Sequence, residues 1–310
     1  MIAVFVNPHS RANRKNPRLA SRLARALGDS GRVIAAPSLP ALDEEVRALA
    51  ARPPSVIAVH GGDGTLHRTL SALVRVFGEQ ALPPIAILGG GTMNVVASSL
   101  GVRTRAIPLL QRLAGLDRTG VAPPLLYRRC MRVGDQVGFV FGNGLLANFL
   151  VEYYGATSYG PTRAIWLLLR LLLSALLQGP LARRVFRRFR GVVVVDGQTL
   201  TFPDLIAIGA GTVREVGLGF KLLPQADDDR ERFAVLAIHA GARALASDLL
   251  SVHRGRGIAP SRALSTVASH LHIRPLEPDA PYTIDGDIYR VQDSLEIRVG
   301  PRVAFVDPHG

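Results

Sequence analysis

Apolar and polar positions alternate in blocks along the first third of the chain. Apolar runs that predict strands lie at 2–6, 33–35, 56–60 and 85–88. Stretches with helical spacing lie near 17–27, near 42–50 and after residue 65. Strands that are buried on both faces have continuous apolar sequences, so this rhythm is typical of a parallel sheet with covering helices. We therefore predict an α/β domain over residues 1–122.

The pattern changes after about residue 123. Apolar runs become short and are separated by turn residues such as Asp196-Gly197. These runs lie at 192–195, 199–202, 205–208, 234–238, 270–274, 282–284, 295–299 and 303–306. Such a series is typical of antiparallel β structure. We predict an antiparallel β domain over residues 123–310, whose C-terminal segment can return to the first domain.

One segment of the second domain is apolar for an unusual length. Residues 164–177 are apolar except for Arg170 and Ser174, and five arginines follow by residue 190. The segment is shorter than the roughly 20 residues that span a bilayer. Two interpretations stay open. The segment is either an interfacial helix that lays its apolar surface into a membrane beside basic side chains, or a helix packed over the β domain.

Composition and charge narrow the classes of partner. The 310 residues are 48% hydrophobic, which is enough to bury two cores, and carry a net charge of +13. That charge favours a nucleotide or the anionic face of a membrane. Aromatic residues make up only 6% and do not interleave with a basic patch, so we do not expect nucleic acid as a partner. The single cysteine, Cys130, cannot form an internal disulfide, and residues 1–8 do not resemble a leader, so we expect a cytoplasmic location.

The strongest motif is the glycine-rich turn that follows the apolar run at 56–60. Glycines let backbone N–H groups approach phosphate oxygens, and the following helix adds a partly positive N-terminus, for which Thr65 is a suitable N-cap. The residues that we predict to bind nucleotide phosphates are Gly61, Gly62, Gly64 and Thr65. Asp63 would repel a phosphate, so we expect it to act with a metal ion or in proton transfer. A structural turn in which Asp63 caps a helix is the alternative.

Two further polar loops follow strands of the same predicted sheet. The loop after 85–88 offers Gly91, Thr92 and Asn94, and the loop after the first strand offers Asn7 and Ser10. The carboxyl ends of parallel strands meet at one edge of a sheet, where ligands bind. The three loops therefore predict one nucleotide site.

Together these motifs resemble the diacylglycerol kinase catalytic-domain family, which includes sphingosine and ceramide kinases and bacterial lipid kinases. The resemblance extends over nearly the whole chain: 7–10 resembles the first-strand loop of the family, 61–65 its GGDGT motif, 91–97 its GTxNxxA motif and 285–287 its DGE motif. It implies an α/β nucleotide domain followed by a β-sandwich that receives the lipid, with ATP and Mg²⁺ between them. It also implies that Asp285 is the general base and that Asp63 lies beside the phosphates and metal, or competes for the base role. From the residues alone, Asp285 fits an ordinary hairpin turn equally well.

The sequence departs from the family at several positions. Arg68 stands where the family usually has glutamate, and Asn148 lies near a position that is often acidic. Residues 224–229 resemble a segment that contributes to a structural metal site in some bacterial relatives, which implies metal binding by Asp229. An exposed acidic turn explains that segment as well.

The resemblance implies an ATP- and Mg-dependent kinase that phosphorylates a hydroxyl of a membrane lipid such as diacylglycerol, ceramide or a long-chain base. Its partner would be lipid at an anionic membrane surface, with the protein held peripherally at the inner face of the membrane, and the sequence is compatible with a homodimer. Two alternatives stay open. One is an enzyme like NAD kinase, which shares GGDGT, and the other is a catalytically idle nucleotide or lipid sensor.

Overall fold

The computed structural model describes residues 1–91, 94–102, 105–155, 160–202 and 205–309, apart from the side chains of residues 11, 12 and 161. These residues form two compact units. The first consists of 1–128, 135–137 and 300–310, and the second of 129–134 and 138–299. Compactness alone does not make a unit an independently folding domain, so the predicted domain bounds, 1–122 and 123–310, stay a prediction.

Four strands with parallel neighbours begin the first unit. They are β1 (Ile2–Val6), β2 (Gly31–Ala35), β3 (Val56–His60) and β4 (Ile85–Ile87). Their order in the sheet is β2-β1-β3-β4. Every residue of β1 and β3 is buried, because both faces of these central strands are covered. The α/β class predicted from the continuous apolar runs is confirmed.

Helices connect these strands and follow them. They are α1 (Arg11–Lys15), α2 (Leu19–Leu27), α3 (Leu39–Ala50), α4 (Asp63–Phe77), α5 (Val95–Ser99) and α6 (Ala106–Thr119). One apolar core of the unit joins Val4 of β1 to Leu23 of α2 and Leu110 of α6. Helix α3 starts three residues earlier than predicted, because the Ser38 hydroxyl accepts a hydrogen bond from the N–H of Ala41 and caps the helix.

Antiparallel strands dominate the second unit. The strands from residue 125 onward are β5 (Leu125–Val133), β6 (Gln136–Gly138), β7 (Val140–Asn143), β8 (Gly191–Val195), β9 (Gln198–Thr199), β10 (Ala207–Gly211), β11 (Phe233–Ile238), β12 (Ala263–Ala268), β13 (His270–Pro275), β14 (Pro281–Ile284), β15 (Asp287–Arg290) and β16 (Leu295–Val306). One sheet has the order β12-β11-β10-β7-β14-β15, and β13 pairs with β8 and β16 in another. An apolar core joins Phe141 and Phe233 of the first sheet to Leu271 and Ile297 of the second. The predicted β-sandwich is therefore confirmed.

The last strand contributes to both units. Its first part belongs to the second unit, whereas its end belongs to the first unit, where Phe305 pairs in parallel with Ile85. The sequence predicted two strands here, 295–299 and 303–306, because Gly300-Pro301 is a turn signal. The structure has one strand of 12 residues, since proline also fits extended backbone wherever its missing N–H is not needed.

The second unit also contains helices. They are α7 (Leu145–Tyr154), α8 (Pro161–Leu176), α9 (Pro180–Val185) and α10 (Ala242–His253). Only α8 was predicted. Helix α10 was missed because its buried face contains a carboxylate, that of Asp248, which interrupts the amphipathic pattern. Asp248 forms an ion pair of 2.9 Å with Arg262. Within the described part of the chain, no helix is long and apolar enough to cross a membrane.

Candidate functional site

The glycine-rich turn after β3 leads directly into α4. This helix begins at Asp63 with Gly62 as its N-cap, so the prediction that Thr65 is the N-cap is wrong by three residues. Thr65 and Gly64 lie in the first turn instead, and the N–H of Thr65 bonds to the carbonyl of Gly62 at 3.0 Å. The N-cap glycine offers no side-chain oxygen, and a helix leaves its first N–H groups without partners inside the helix. This end of α4 is therefore suited to bind an anion.

Asp63 joins the two glycine-rich loops. Its Oδ2 accepts a hydrogen bond from the N–H of Val95 at 2.9 Å, and its Oδ1 accepts one from the N–H of Val96 at 3.1 Å. These are the first two N–H groups of α5. The carboxylate therefore caps α5, a helix that begins 32 residues later. The structure thus shows Asp63 capping a helix, as the structural alternative expected.

Glycines allow the two loops to lie against each other. The N–H of Gly90 donates to the carbonyl of Gly61 at 2.8 Å. A Cβ atom on Gly62 would lie 3.1 Å from the Cα of Gly91, and one on Gly90 would lie 2.7 Å from Cε1 of His60. The sequence predicted phosphate binding by Gly62 and Gly91, with a structural turn as the alternative. The structure adds that contact between the loops requires them.

Asn94 shapes the second loop from within. Its φ is +48°, which asparagine tolerates better than most residues, and its Oδ1 accepts a hydrogen bond from the N–H of Gly91 at 3.0 Å. The side chain thereby stabilises the turn that carries Gly91. Thr92, which the sequence also assigned to the nucleotide site, lies outside the described residues.

The first loop is tied to the start of α4. The Nδ2 of Asn7 donates to Oγ1 of Thr65 at 3.1 Å. Ser10 is held in the same loop, where its Oγ accepts a hydrogen bond from Nδ2 of Asn13 at 2.9 Å. The loops after β1, β3 and β4 therefore meet at one edge of the first unit's sheet, as the parallel order predicted. The nucleotide role of each residue stays a prediction.

His60 lies beneath this cluster of loops. Its side chain is buried, and among the described residues its Nδ1 has no hydrogen-bond partner. Burial lowers the pKa of the imidazole below its usual value, because the charged form loses its hydration. His60 is therefore a neutral ring that lies directly against Gly90.

Asp285 lies in the second unit, at the tip of the hairpin between β14 and β15. It has a φ of +48°, and the following Gly286 has a φ of +89°, as a two-residue Asp-Gly turn requires. The hairpin-turn interpretation is therefore correct for the backbone. Residues at such tips are usually solvated, whereas Asp285 is only 7% exposed.

The Asp285 carboxylate is directed at the start of β7. Its Oδ1 accepts hydrogen bonds from the N–H of Phe139 at 3.0 Å and from that of Val140 at 2.8 Å. A Cβ atom on Gly138 would lie 2.7 Å from Oδ2 of Asp285, so this close approach depends on the glycine. On the outer side, the hydroxyl of Tyr154 donates to the carbonyl of Gly286 at 3.1 Å. Sequence reasoning did not find Gly138 or Tyr154, because neither belongs to a motif.

A second Asp-Gly turn of the same geometry provides an internal comparison. Asp196 and Gly197, with φ of +45° and +83°, join β8 to β9. The Asp196 carboxylate accepts hydrogen bonds from the N–H groups of Ser269 at 3.0 Å and His270 at 2.8 Å. Asp196 is exposed, however. Burial therefore distinguishes Asp285 from a turn aspartate that serves structure alone.

Asp229 lies in an exposed turn. It forms an ion pair of 2.6 Å with Arg232 and accepts a hydrogen bond from the N–H of Glu231 at 2.8 Å. The hydrogen bond from the Arg232 side chain, followed by the one from Glu231, lowers the pKa of this carboxyl below its usual value. Among the residues that the structure describes, no group of three or more His, Cys, Asp or Glu side chains could hold a metal ion. Metal binding by Asp229 stays a prediction.

The residues that depart from the family pattern have local roles. Arg68 is half-buried on α4. Asn148, on α7, donates from Nδ2 to the carbonyl of Val185 at 3.3 Å, which connects α7 to α9. An amide at this position therefore has a packing role that is independent of any substrate.

Comparison with known proteins gives a match over the first part of the chain. Residues 1–121 match the family model described as the diacylglycerol kinase catalytic domain. This range contains all three loops at the edge of the sheet. Among curated proteins, no sequence matches the chain.

Solved structures from Bacillus anthracis str. Sterne resemble the whole chain. A crystal structure of a diacylglycerol kinase has a TM-score of 0.67 at 15% identity, with 99% of this chain and 97% of that chain covered. A second structure, of a protein proposed to be a diacylglycerol kinase, has a TM-score of 0.74 at 16% identity with the same coverage. At such identity the likeness establishes the fold alone.

Proposed function

We propose, for a chain whose residues 1–121 match the family model of the diacylglycerol kinase catalytic domain, that the protein is an ATP-dependent lipid kinase. Its acceptor is a hydroxyl of a membrane lipid such as diacylglycerol, ceramide or a long-chain base. The observation that carries the proposal is the meeting of three loops at the N-terminus of α4, within the range that matches the family.

The loops provide the chemistry that a nucleotide phosphate needs. The start of α4 offers N–H groups and the positive end of the helix dipole, and Gly62 and Gly91 leave the backbone accessible. Asn7 and Asp63 fix the loops that precede and follow this helix start, so the donors are held in place before the ligand arrives. Such preorganisation supports binding, because less conformational entropy is lost when the ligand is bound.

Asp285 is the proposed general base. In the reaction the lipid hydroxyl oxygen forms a bond to the γ-phosphorus of ATP, and the bond from that phosphorus to the bridging oxygen breaks. The hydroxyl proton passes to the Asp285 carboxylate, and ADP leaves. The N–H groups of Phe139 and Val140 bond to the carboxylate and fix its orientation, and a carboxylate is a group that can accept the proton.

Mg²⁺ is proposed as the companion of the nucleotide. This ion usually binds through substrate phosphates, water and one or two carboxylates. Among the loop residues Asp63 is the carboxylate that would contribute, and its hydrogen bonds to α5 hold it at the meeting point of the loops. When bound, the ion neutralises charge that develops on the phosphates.

The proposal is tested with purified protein, ATP and Mg²⁺ against a panel of lipids in detergent micelles, with NAD as a further acceptor. We expect one lipid to yield a phosphorylated product together with an equal amount of ADP. Phosphorylation of NAD alone would favour the NAD kinase alternative. Nucleotide binding without transfer to any acceptor would favour the idle sensor.

A further inference from the structure

Helix α8 has two apolar faces. Its buried face consists of Ala164, Leu167, Leu171 and Ala175, which pack within the second unit. A second set of apolar side chains on the helix and the residue after it is between 49% and 73% exposed. This set, which we name the α8 stripe, consists of Ile165, Trp166, Leu169, Leu173, Leu176 and Leu177. The packing interpretation therefore describes one face of the helix, whereas the other face is uncovered.

The stripe runs along the whole helix. Positions 166, 169, 173 and 176 are separated by three or four residues, so they lie on one side of α8. With 16 residues the helix is about 24 Å long, at roughly 1.5 Å per residue. A continuous exposed apolar surface of this kind usually marks a binding surface.

Cations border the α8 stripe. The guanidinium of Arg170 lies 4.7 Å from the centroid of the Trp166 ring. At the C-terminal end, Arg243 donates to the carbonyl of Leu176 at 2.8 Å, and Arg183 donates to a carbonyl just after the helix at 3.1 Å. These contacts place two guanidinium groups at the C-terminal end of the stripe.

The sequence around the stripe contains almost no acidic residue. Between residues 155 and 202 there are seven arginines, and the only acidic residue is Asp196. In a symmetric dimer through this surface the stripe would face its own copy, which would place arginines opposite arginines. An anionic bilayer offers negative charge that complements these arginines. It also offers an apolar interior that can cover the exposed side chains of the stripe.

We propose that the α8 stripe docks the protein on a bilayer that contains anionic lipids, with α8 lying in the plane of the interface. The helix is shorter than the roughly 20 residues of a membrane-spanning helix and carries Arg170 near its middle. In the interfacial orientation Trp166 lies at the headgroup level, where tryptophan is enriched, and Arg170 reaches the phosphates. The apolar side chains enter the acyl boundary.

Trp166 allows docking to be measured at the stripe itself, because it is the only tryptophan in the chain. The full chain is mixed, without nucleotide, with vesicles of phosphatidylcholine and phosphatidylglycerol in equal parts. We expect the tryptophan emission to shift to shorter wavelength, the accessibility of Trp166 to a soluble quencher to fall, and the protein to sediment with the vesicles. Vesicles of phosphatidylcholine alone, or high salt, should reduce all three effects.

Substitutions within the stripe test whether it is the surface that docks on the vesicles. Leu169→Gln together with Leu173→Gln should weaken partitioning to anionic vesicles by at least about tenfold, because two inserted side chains become polar. Leu39→Gln is the matched control, since Leu39 is 49% exposed on α3, outside the stripe. We expect it to leave partitioning unchanged. Thermal melting of each variant checks that the fold is intact.

Three results would overturn this inference. The first is wild-type partitioning by the folded double variant, and the second is no response of Trp166 to anionic vesicles. The third is a concentration-dependent emission shift and dimer formation without vesicles, which would assign the stripe to a second copy. The vesicle assay contains no nucleotide, so a failure to dock would not contradict the kinase proposal. Likewise, a lack of kinase activity in detergent micelles would not contradict docking.

Discussion

At the residue scale, the same turn motif occurs twice in different surroundings. Asp285 and Asp196 have the same left-handed backbone and the same pair of hydrogen bonds to consecutive N–H groups. Each carboxylate therefore connects the tip of a hairpin to the start of a neighbouring strand. Only Asp285 is buried, and Gly138 leaves the space that its carboxylate occupies. Comparing Asp285 with Asp196 therefore separates what an aspartate contributes to the structure of an Asp-Gly turn from the proton transfer that we propose for Asp285.

Replacing each aspartate by asparagine tests this separation. Asp285→Asn should lower turnover by about 100-fold or more, because an amide cannot take the proton from the lipid hydroxyl. Nucleotide affinity should stay near that of the wild type. Asp196→Asn should lower the melting temperature to a similar extent, since it disturbs equivalent hydrogen bonds, but leave turnover unchanged. A folded Asp285→Asn protein with wild-type turnover would exclude the base role.

Asp63 caps α5 and also carries the metal-binding role that we propose for its carboxylate. Asp63→Ala removes the cap of α5 and should cost about 1 kcal/mol of folding free energy, as for other N-cap losses. Asp63→Asn keeps one acceptor for these N–H groups but removes the charge. We expect both variants to lose turnover and only the alanine variant to lose most of the cap stability, as measured by denaturant unfolding. Normal turnover of Asp63→Asn would reduce Asp63 to a capping residue.

At the element scale, the two glycine-rich loops act as one element. They are joined by the hydrogen bond between Gly90 and Gly61 and by the Asp63 carboxylate. Each loop alone is a turn between a strand and a helix, and only their contact creates a surface of closely spaced backbone donors. The helix dipoles of α4 and α5 meet there, and Asp63 offsets the positive end of α5.

Gly91→Ala tests the contact between the loops. Its Cβ atom would collide with the backbone of Gly62, so the loops must separate, and nucleotide affinity should fall by at least about tenfold as donors move out of hydrogen-bond range. Gly115→Ala on α6 is the control, because no atom lies within 4 Å of its added Cβ. Alanine should stabilise that helix by about 0.5–1 kcal/mol. Titration with a fluorescent ATP analogue measures the affinity, and an unchanged value for Gly91→Ala would contradict the model of joined loops.

At the scale of the whole molecule, the buried His60 connects stability to pH. Burial lowers its pKa in the folded protein below the value of 6.5 for an unperturbed histidine. Between these two pKa values the unfolded chain binds a proton that the folded chain does not, so the slope of stability against pH is positive. The contribution of His60 is therefore complete above the unfolded pKa and is lost as pH falls towards the folded one.

His60→Gln should remove part of this pH dependence. Between about pH 8 and pH 5, the melting temperature of the wild type should fall more than that of the variant, because only the wild type must keep this imidazole neutral. Thermal melts at a series of pH values measure the difference. Parallel curves for the two proteins would show that His60 does not contribute.

The sequence by itself determined those strands and helix starts that are specified by the preferences of neighbouring residues. Continuous apolar runs predicted β1 and β3, because strands buried on both faces need apolar residues at every position. The GGDGT motif marked the start of α4 to within a few residues, since glycine and the following helix have strong local preferences. The order of these elements along the chain was enough to predict an α/β domain followed by an antiparallel β domain, and the family resemblance implied that the second is a β-sandwich.

Only the tertiary structure decided which distant groups meet. Asp63 caps a helix 32 residues away, and the Asp285 carboxylate bonds to an N–H group 146 residues away. In α8 the packing of the second unit, and not the sequence pattern, selected which apolar side chains were buried and which formed the exposed stripe. Periodicity reports the faces of a helix or strand, but sheet order and packing determine what each face contacts.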